Sequence, residues 1–226
     1  MIILTGASGG IGKDILPLLT RLDDVVALYN SKAPKISDKK ISWHNVNLSS
    51  EEEVKNFCTT LKETSQRITL IHGAALSIDG IAAQFSIDSW DAVMDVNLRG
   101  NFLLTRELLL KMIEQKWGRV IHLSSVAGLR GAPGTIAYSA AKTGLLGMSR
   151  VLSREYARFG ITSNVIALGY FSTGLIETLD EKNRKKILEE IPSKELGNPT
   201  NIVDAIEFLM KSEYTNGSVI NIDGGI

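Results

Sequence analysis

Tyr138 and Lys142 stand four residues apart, and in a helix this spacing puts a phenol and an ammonium on one face. A free tyrosine is too weak an acid to protonate an oxyanion at neutral pH. A lysine charge at about 4 Å would favour the phenolate by roughly 4 kcal/mol at an effective dielectric of 20. We therefore predict that Lys142 lowers the pKa of Tyr138 from about 10 toward 7, which suits a general acid.

Two upstream residues carry side chains that fit the same chemistry. Ser125 follows the apolar run 120–123, where its hydroxyl could bind a substrate carbonyl. Asn97 lies inside a long helical pattern, a position that disfavours asparagine unless it has a task such as holding a proton-relay water. The alternatives stay open: exposed Tyr/Lys pairs are common, Ser125 could cap a turn, and Asn97 could bind nearby backbone.

The glycine-rich stretch 5–12, Thr-Gly-Ala-Ser-Gly-Gly-Ile-Gly, separates a short apolar run from a helical pattern. Strand, glycine turn and helix present backbone N–H groups and a positive helix end to a phosphate. Gly6 permits the tight turn, Gly10 the approach of a pyrophosphate, and Gly12 close helix packing. Ser8 also fits the G-x-S-x-G pattern of hydrolases, but we expect no preceding segment to supply the oxyanion loop that they require.

The remaining chain alternates between short apolar runs and helical patterns. Strands are predicted near 2–4, 25–28, 41–46, 68–71, 120–123, 162–167 and 218–222, and the first six are expected to be joined by helical crossovers. Helices are predicted near 11–22, 50–61, 88–116, 137–159, 180–190 and 199–211, with a loop at 128–134. This alternation predicts one α/β domain spanning 1–226, with a seven-stranded parallel sheet between two helix layers and its ligand at the carboxyl ends of the strands.

Composition excludes several classes of protein. The 226 residues carry 25 basic and 25 acidic side chains without a polybasic run, so neither nucleic acid nor a membrane surface is expected as a partner. Cys58 is the single cysteine, and the three histidines lack metal-ligand spacing, so we expect no disulfide and no metal. No apolar run reaches the roughly 20 residues of a transmembrane helix. We expect a cytoplasmic protein.

Taken together, these motifs resemble the short-chain dehydrogenase/reductase family over the whole chain, and most closely its 3-oxoacyl-(acyl-carrier-protein) reductase branch. The resemblance rests on the glycine stretch 5–12, on Asp95-Val96-Asn97-Leu98, on Ser125 thirteen residues before Tyr138, on Tyr138-x-x-x-Lys142, and on the segments 164–169 and 222–225. It implies a Rossmann-type, doubly wound, three-layer α/β/α fold. The spacing from Asp180 through 191–192 to 196–197 is what indicates the reductase branch.

The resemblance also implies a role for each site residue. Tyr138 would be the general acid, Lys142 would lower its pKa and bind the nicotinamide ribose, Ser125 would polarise the carbonyl, and Asn97 would hold a relay water. The cofactor would contact Gly6, Ser8, Gly9, Gly10, Ile11 and Gly12 at the pyrophosphate, Asn47, Leu48, Gly73 and Ala74 at the adenosine, and Gly169, Phe171 and Thr173 at the nicotinamide. Residues 172–196 would form a lid.

The end of the second strand bears on the choice of cofactor. An NAD pocket usually has an acidic residue there for the ribose 2′-hydroxyl, whereas this chain has Asn30, Ser31 and Lys32. These side chains can donate to a 2′-phosphate, so we expect NADPH over NADH. The chain departs from the family at residues 72–75, His-Gly-Ala-Ala in place of Asn-Asn-Ala-Gly, at Gly9 in place of a basic residue, and at Leu168 in place of proline.

We therefore hypothesise an NADPH-dependent reductase of a 3-oxoacyl thioester. If the substrate rides on an acyl carrier protein, basic residues should receive that acidic partner, and the candidates are Lys116, Arg119, Arg130 and Arg158. The resemblance implies a homotetramer, or a homodimer, packed through the long helices. The alternatives are an alcohol dehydrogenase or ketoreductase acting on another small or polyketide-like substrate, and a non-catalytic dinucleotide-binding regulator.

Overall fold

Seven parallel strands form one sheet in the computed structural model, which describes residues 1–31, 36–61, 66–173 and 181–226. The strands are β1 (Ile2–Thr5), β2 (Val25–Tyr29), β3 (Ile41–Asn45), β4 (Thr69–His72), β5 (Gly118–Ser125), β6 (Ile161–Leu168) and β7 (Val219–Ile222). Their order across the sheet is β3-β2-β1-β4-β5-β6-β7, and every neighbouring pair is parallel. The predicted doubly wound parallel sheet is confirmed.

Helices cover both faces of this sheet. They are α1 (Gly10–Leu19), α2 (Glu51–Thr60), α3 (Ile87–Met94), α4 (Gly100–Gln115), α5 (Val126–Arg130), α6 (Ile136–Tyr156), α7 (Glu181–Glu190) and α8 (Pro199–Lys211). Within the described ranges, no helix has both the length and the apolar character needed to cross a membrane.

The alternation of side chains along each strand produces the three layers. In β1, Ile3 belongs to the core cluster that includes Leu104 of α4, whereas Leu4 belongs to the cluster that includes Leu16 of α1 and Leu209 of α8. Successive strand residues point to opposite faces, so each strand contributes to both cores.

The strand order reverses beside β1, which pairs with β2 on one side and β4 on the other. Thr5, the last residue of β1, is in register with Leu28 of β2 and with His72 of β4. The loops that follow β1 and β4 leave the sheet in opposite directions, so a crevice forms at the carboxyl ends of these strands. This crevice is where an open α/β sheet binds its ligand.

Three local predictions are corrected by the structure. The region predicted as a loop at 128–134 begins inside α5, which Ser125 caps by accepting a hydrogen bond from the Ala127 N–H at 3.2 Å. The long helix predicted over 88–116 is two helices, because a π-helical turn at Asp95–Arg99 separates α3 from α4. The crossover between β2 and β3 has no helix in its described residues, 30–31 and 36–40.

Candidate active site

The glycine turn after β1 brings three chain segments into contact. Gly6 has a φ of +67°, and a Cβ there would lie 2.5 Å from Cα of Ala74 in the loop after β4. A Cβ on Gly12, in the first turn of α1, would lie 2.1 Å from the carbonyl oxygen of Gly6. Neither position can hold a larger residue unless backbone moves, so both glycines are needed where β1, α1 and the β4 loop meet.

The N-terminus of α1 is open toward the crevice in the way an anion requires. Gly9 is the N-cap and provides no side-chain cap, and the first turn contains no acidic residue. The amide groups at this positive helix end therefore have no carboxylate or hydroxyl competing for them. Ser8 and Ile11 are half-buried beside them. This cradle fits the pyrophosphate of a dinucleotide.

A single hydroxyl joins the glycine turn to the loop after β4. Oγ1 of Thr5 accepts hydrogen bonds from the backbone N–H groups of Gly73 and Ala74, both at 3.0 Å. Thr5 is completely buried, so these bonds are shielded from water. The predicted contact residues Gly73 and Ala74 are thereby held against the cradle.

The residues predicted to contact adenosine follow β2 and β3 at the same edge of the sheet. Asn30 and Ser31 are exposed, and Lys32 lies outside the described residues. The Asn47 N–H donates to Glu53 Oε2 at 2.8 Å, which orders the start of the segment after β3. The Leu48 side chain is buried against Gly100, so it can offer a ligand little more than its backbone.

Lys142 is buried in α6 and its ammonium is held by the sheet. Nζ donates to the carbonyl of Leu123 at 2.7 Å, and Ser124 Oγ donates to the Lys142 carbonyl at 3.0 Å. Burial lowers the pKa of Lys142 from its usual 10.5 to about 8. Its charge at neutral pH therefore lies just behind the end of β5.

Tyr138 lies one turn before Lys142 and pairs with Ser125 rather than with the ammonium. Lys142 Nζ is 5.6 Å from the centre of the phenol ring. Burial raises the pKa of Tyr138 above 10, and a hydrogen bond with Ser125 only partly opposes this effect. The prediction that Lys142 lowers the Tyr138 pKa toward 7 is therefore wrong for this arrangement, because the ammonium faces a strand carbonyl instead of the phenol oxygen.

Asn97 occupies the π-helical turn between α3 and α4 and is fully buried. Its Oδ1 accepts from the Leu76 N–H and its Nδ2 donates to the Leu76 carbonyl, each at 2.7 Å. The backbone carbonyl of Asn97 accepts from Nδ2 of Asn101 at 2.8 Å. The side chain thus anchors the loop after β4, and the backbone carbonyl is held from the side of α4.

The residues predicted to contact the nicotinamide converge on the crevice from β6. Gly169 packs so tightly on Asp223 that a Cβ would lie 2.7 Å from Cα of that residue. The ring of Phe171 is buried in the core, and Thr173 Oγ1 donates to the Gly10 carbonyl at 3.0 Å across the cradle. Residues 174–180 of the predicted lid lie outside the described residues. Most of the remaining lid residues form helix α7.

Comparison with known proteins agrees with this geometry. The family model described as short chain dehydrogenase matches residues 1–184. The chain belongs to the short-chain dehydrogenase family. It is 36% identical to the 3-oxoacyl-[acyl-carrier-protein] reductase FabG of Rickettsia conorii, over 99% of this chain and 95% of that one. Nodulation protein G of Rhizobium sp. strain N33 is 32% identical, and a 3-oxoacyl-[acyl-carrier-protein] reductase of Synechocystis is also 32% identical, each over the same shares.

This short-chain dehydrogenase is therefore an NAD(P)-dependent oxidoreductase that acts on carbonyl or hydroxyl groups. The structure gathers the predicted residues at the carboxyl edge of the sheet, since the glycine turn follows β1, Ser125 ends β5 and Tyr138 opens α6. It also places there residues that the motifs did not single out. Asn101 is one, and its spacing four residues after Asn97 was its only sequence signal. Thr5 is the other, since it opens the glycine-rich stretch but was given no role of its own.

The basic residues nominated for a carrier protein do not share one surface of this short-chain dehydrogenase. Arg119 is buried at the amino end of β5, where Nη1 donates to the Gly160 carbonyl at 3.1 Å and the guanidinium stacks on Trp117. It is six residues, or about 20 Å, from Ser125 along the strand. Lys116 and Arg158 also precede the amino ends of strands. Only Arg130, which is exposed at the end of α5, lies on the side of the site.

Proposed function

We propose that this protein reduces the ketone of a 3-oxoacyl thioester to a 3-hydroxyacyl thioester. The observation that carries the proposal is the hydrogen-bonded pair of Ser125 and Tyr138 beside the glycine cradle at the carboxyl edge of the sheet. Two hydroxyls at this place can both bind one carbonyl oxygen. The substrate class is supported by the reductases that the chain resembles over 99% of its length.

The roles follow from the chemistry of each group. A nicotinamide cofactor held by the glycine turn 5–12 would provide the hydride that the carbonyl carbon accepts. Ser125 orients the carbonyl oxygen, and Tyr138 gives that oxygen its proton. Burial raises the pKa of Tyr138, so the phenol is a weak acid, but the alkoxide that hydride addition would leave is a much stronger base and can take the phenol proton. Lys142 would bind the ribose of the nicotinamide cofactor, and Asn97 would hold the water that returns a proton to Tyr138.

We further propose NADPH as the preferred cofactor. Tyr29, Asn30 and Ser31 at the end of β2 include no carboxylate to bind a ribose 2′-hydroxyl, and the last two are exposed. A 2′-phosphate would meet only neutral donors among these described residues.

We propose an acyl carrier protein as the carrier of the substrate, with Arg130 as a contact. Arg130→Glu should raise the KM for a substrate linked to the carrier protein. The KM for the corresponding coenzyme A thioester should stay unchanged.

We propose a homotetramer built on the α4 and α6 faces. The support is a set of exposed apolar side chains on these two helices, Phe102, Leu110 and Val151, of which Leu110 is 72% exposed. Light scattering should give four times the chain mass, and Leu110→Lys should reduce it. A monomeric wild-type protein would overturn this assignment.

The function is tested by following NADPH absorbance at 340 nm with acetoacetyl thioesters as substrate. The wild-type protein should oxidise NADPH, and Tyr138→Phe should lose at least 100-fold in kcat while still binding NADPH. Tight NADPH binding without turnover of any carbonyl would instead indicate a non-catalytic protein, and turnover of simple alcohols alone would indicate an alcohol dehydrogenase.

A further inference from the structure

Two histidines lie face to face in the centre of the sheet, directly below the site. His72 ends β4 and is in register with His122 of β5. Their rings stack with centres 5.0 Å apart and planes 13° from parallel, and both side chains are fully buried. His72 stands where the resembled family has asparagine, so this pair is a feature of the chain itself.

The polar neighbours of His72 lie on α4, just beyond Asn97. Nε2 of His72 is 2.8 Å from Oγ1 of Thr105. The Asn101 amide nitrogen donates to the Asn97 carbonyl, and Asn101 is also fully buried. Nδ1 of His72 and Oδ1 of Asn101 are both buried without a hydrogen bond of good geometry, as is Nδ1 of the stacked His122.

Nδ1 of His72 and Oδ1 of Asn101 can be joined as donor and acceptor. The Asn101 side chain is near enough to His72 for a hydrogen bond that raises its pKa against the larger effect of burial. A buried polar atom without a partner destabilises the fold, so a small adjustment that joins the two is strongly favoured.

The direction of each bond follows from what each atom can do. The carbonyl of Asn97 can only accept, so Asn101 must turn its amide nitrogen toward it. Oδ1 of Asn101 can then only accept from His72, which requires the proton of a neutral His72 to be on Nδ1. Nε2 has no proton in that tautomer and accepts from the hydroxyl of Thr105.

A neutral ring is also what the surroundings of His72 require. Burial, His122 and the positive charge of Lys142 all disfavour imidazolium at this place. A neutral ring with a fixed tautomer is a permanent donor toward Asn101 across the pH range in which such enzymes work.

We propose that His72 is a positioning residue, which acts through Asn101 to hold the carbonyl of Asn97 in the π-helical turn. This inference rests on the proposed function in one respect, the relay role of Asn97. In this role His72 touches neither substrate nor cofactor. Its contribution is to keep the Asn101 side chain directed at the Asn97 carbonyl.

Paired substitutions separate this role from simple packing. In His72→Asn the amide occupies the place of Nδ1 and can still donate to Asn101, whereas in His72→Gln it occupies the place of Nε2 and reaches Thr105 instead. We expect His72→Asn to keep kcat within 3-fold of wild type and His72→Gln to lose at least 10-fold, with KM for NADPH unchanged in both. His122→Gln is the matched control, because it removes the stacked ring without touching Asn101.

Two outcomes of the kinetics would overturn the proposal. One is an equal loss of kcat in His72→Gln and His122→Gln, which would mean that only the stacked pair matters. The other is a loss in His72→Asn as large as that in His72→Gln, which would mean that the donor to Asn101 does not matter.

A measurement without turnover tests the inference independently of the proposed function. The chain has three histidines, so 15N-histidine labelling gives three imidazole spin systems, assigned with His44→Gln, His72→Asn and His122→Gln. We expect His72 with its proton on Nδ1 and with Nε2 unprotonated. A proton on Nε2 overturns the inference even in an active enzyme, whereas the expected tautomer in a protein without reductase activity overturns only the proposed function.

Discussion

The ammonium of Lys142 lies 5.6 Å from the ring centre of Tyr138 and donates to a strand carbonyl rather than to the phenol. The two residues share a helix face, as their spacing predicted, but they do not form a direct acid–base pair. Burial acts on them in opposite directions, since it raises the pKa of Tyr138 and lowers that of Lys142. Both shifts reflect the same penalty on the charged form.

Lys142→Met should make the protein more stable and inactive. A fall of the Lys142 pKa from 10.5 to about 8 is a cost of about 3 kcal/mol to the folded state at pH 7. Lys142→Met removes this cost, and the lost hydrogen bond to the Leu123 carbonyl offsets about 1 kcal/mol of the resulting gain in stability. Urea unfolding at pH 7 should therefore show a net increase of about 1–3 kcal/mol.

The same substitution should change how stability depends on pH. In the wild type the unfolded chain binds more protons than the folded one between about pH 8 and 10.5, so this lysine makes stability rise with pH there. The variant should lack that rise. A variant less stable than wild type at pH 7 would contradict the buried-charge argument.

The histidine pair should make the fold acid-sensitive before carboxylates begin to titrate. Burial and the Lys142 charge lower the pKa of His122 from 6.5 to about 3, and that of His72 is also far below 6.5. The folded protein keeps both rings neutral while the unfolded chain takes up protons below pH 6.5. Stability should thus fall with pH by about 1.4 kcal/mol per unit for each histidine between about pH 6 and 5.

Chemical unfolding at several pH values measures this dependence. His122→Gln should reduce the slope between pH 6 and 5 by about 1.4 kcal/mol per unit, because one proton fewer is taken up on unfolding. The absolute stability of the variant does not enter the comparison. An unchanged slope would show that His122 is not held neutral.

Gly12→Ala should weaken both the fold and cofactor binding. The new Cβ would lie 2.1 Å from the Gly6 carbonyl oxygen, so α1 or the glycine turn must move. We expect a loss of about 1–3 kcal/mol in the free energy of unfolding, together with weaker binding of NADPH by fluorescence titration. Gly147→Ala on α6 is the control within one chain, since its Cβ meets nothing within 4 Å there, and light scattering should show that it keeps the wild-type mass. It should gain up to about 1 kcal/mol.

Asn30→Asp should shift cofactor preference toward NADH. A carboxylate at the end of β2 would repel a 2′-phosphate and accept hydrogen bonds from a free ribose 2′-hydroxyl. The ratio of kcat/KM for NADPH to that for NADH should fall at least 10-fold. Ser42→Asp adds the same charge at an exposed position of β3 and should leave the ratio unchanged. An equal change in both variants would contradict a local effect.

Sequence patterns were sufficient for the sheet and for the residues at its carboxyl edge. The seven stretches predicted as strands correspond to the seven strands of the sheet. The central ones are mostly apolar because parallel strands are buried on both faces. Local sequence patterns did not predict two features of the backbone that depend on contacts in the folded protein. The π-helical turn at Asp95–Arg99 and the short helix capped by Ser125 have no strong signal in composition or periodicity.

The sequence by itself determined the fold class and the type of chemistry. It did so through the identities and spacing of a few residues that are needed where a strand, a turn and a helix meet a ligand: Gly6, Gly12, Ser125, Tyr138 and Lys142. Tertiary structure alone decided which groups face each other. The Lys142 ammonium donates to a β5 carbonyl instead of the phenol, and a histidine on β4 lies against a threonine on α4. Such hydrogen bonds depend on packing between segments that are distant in sequence.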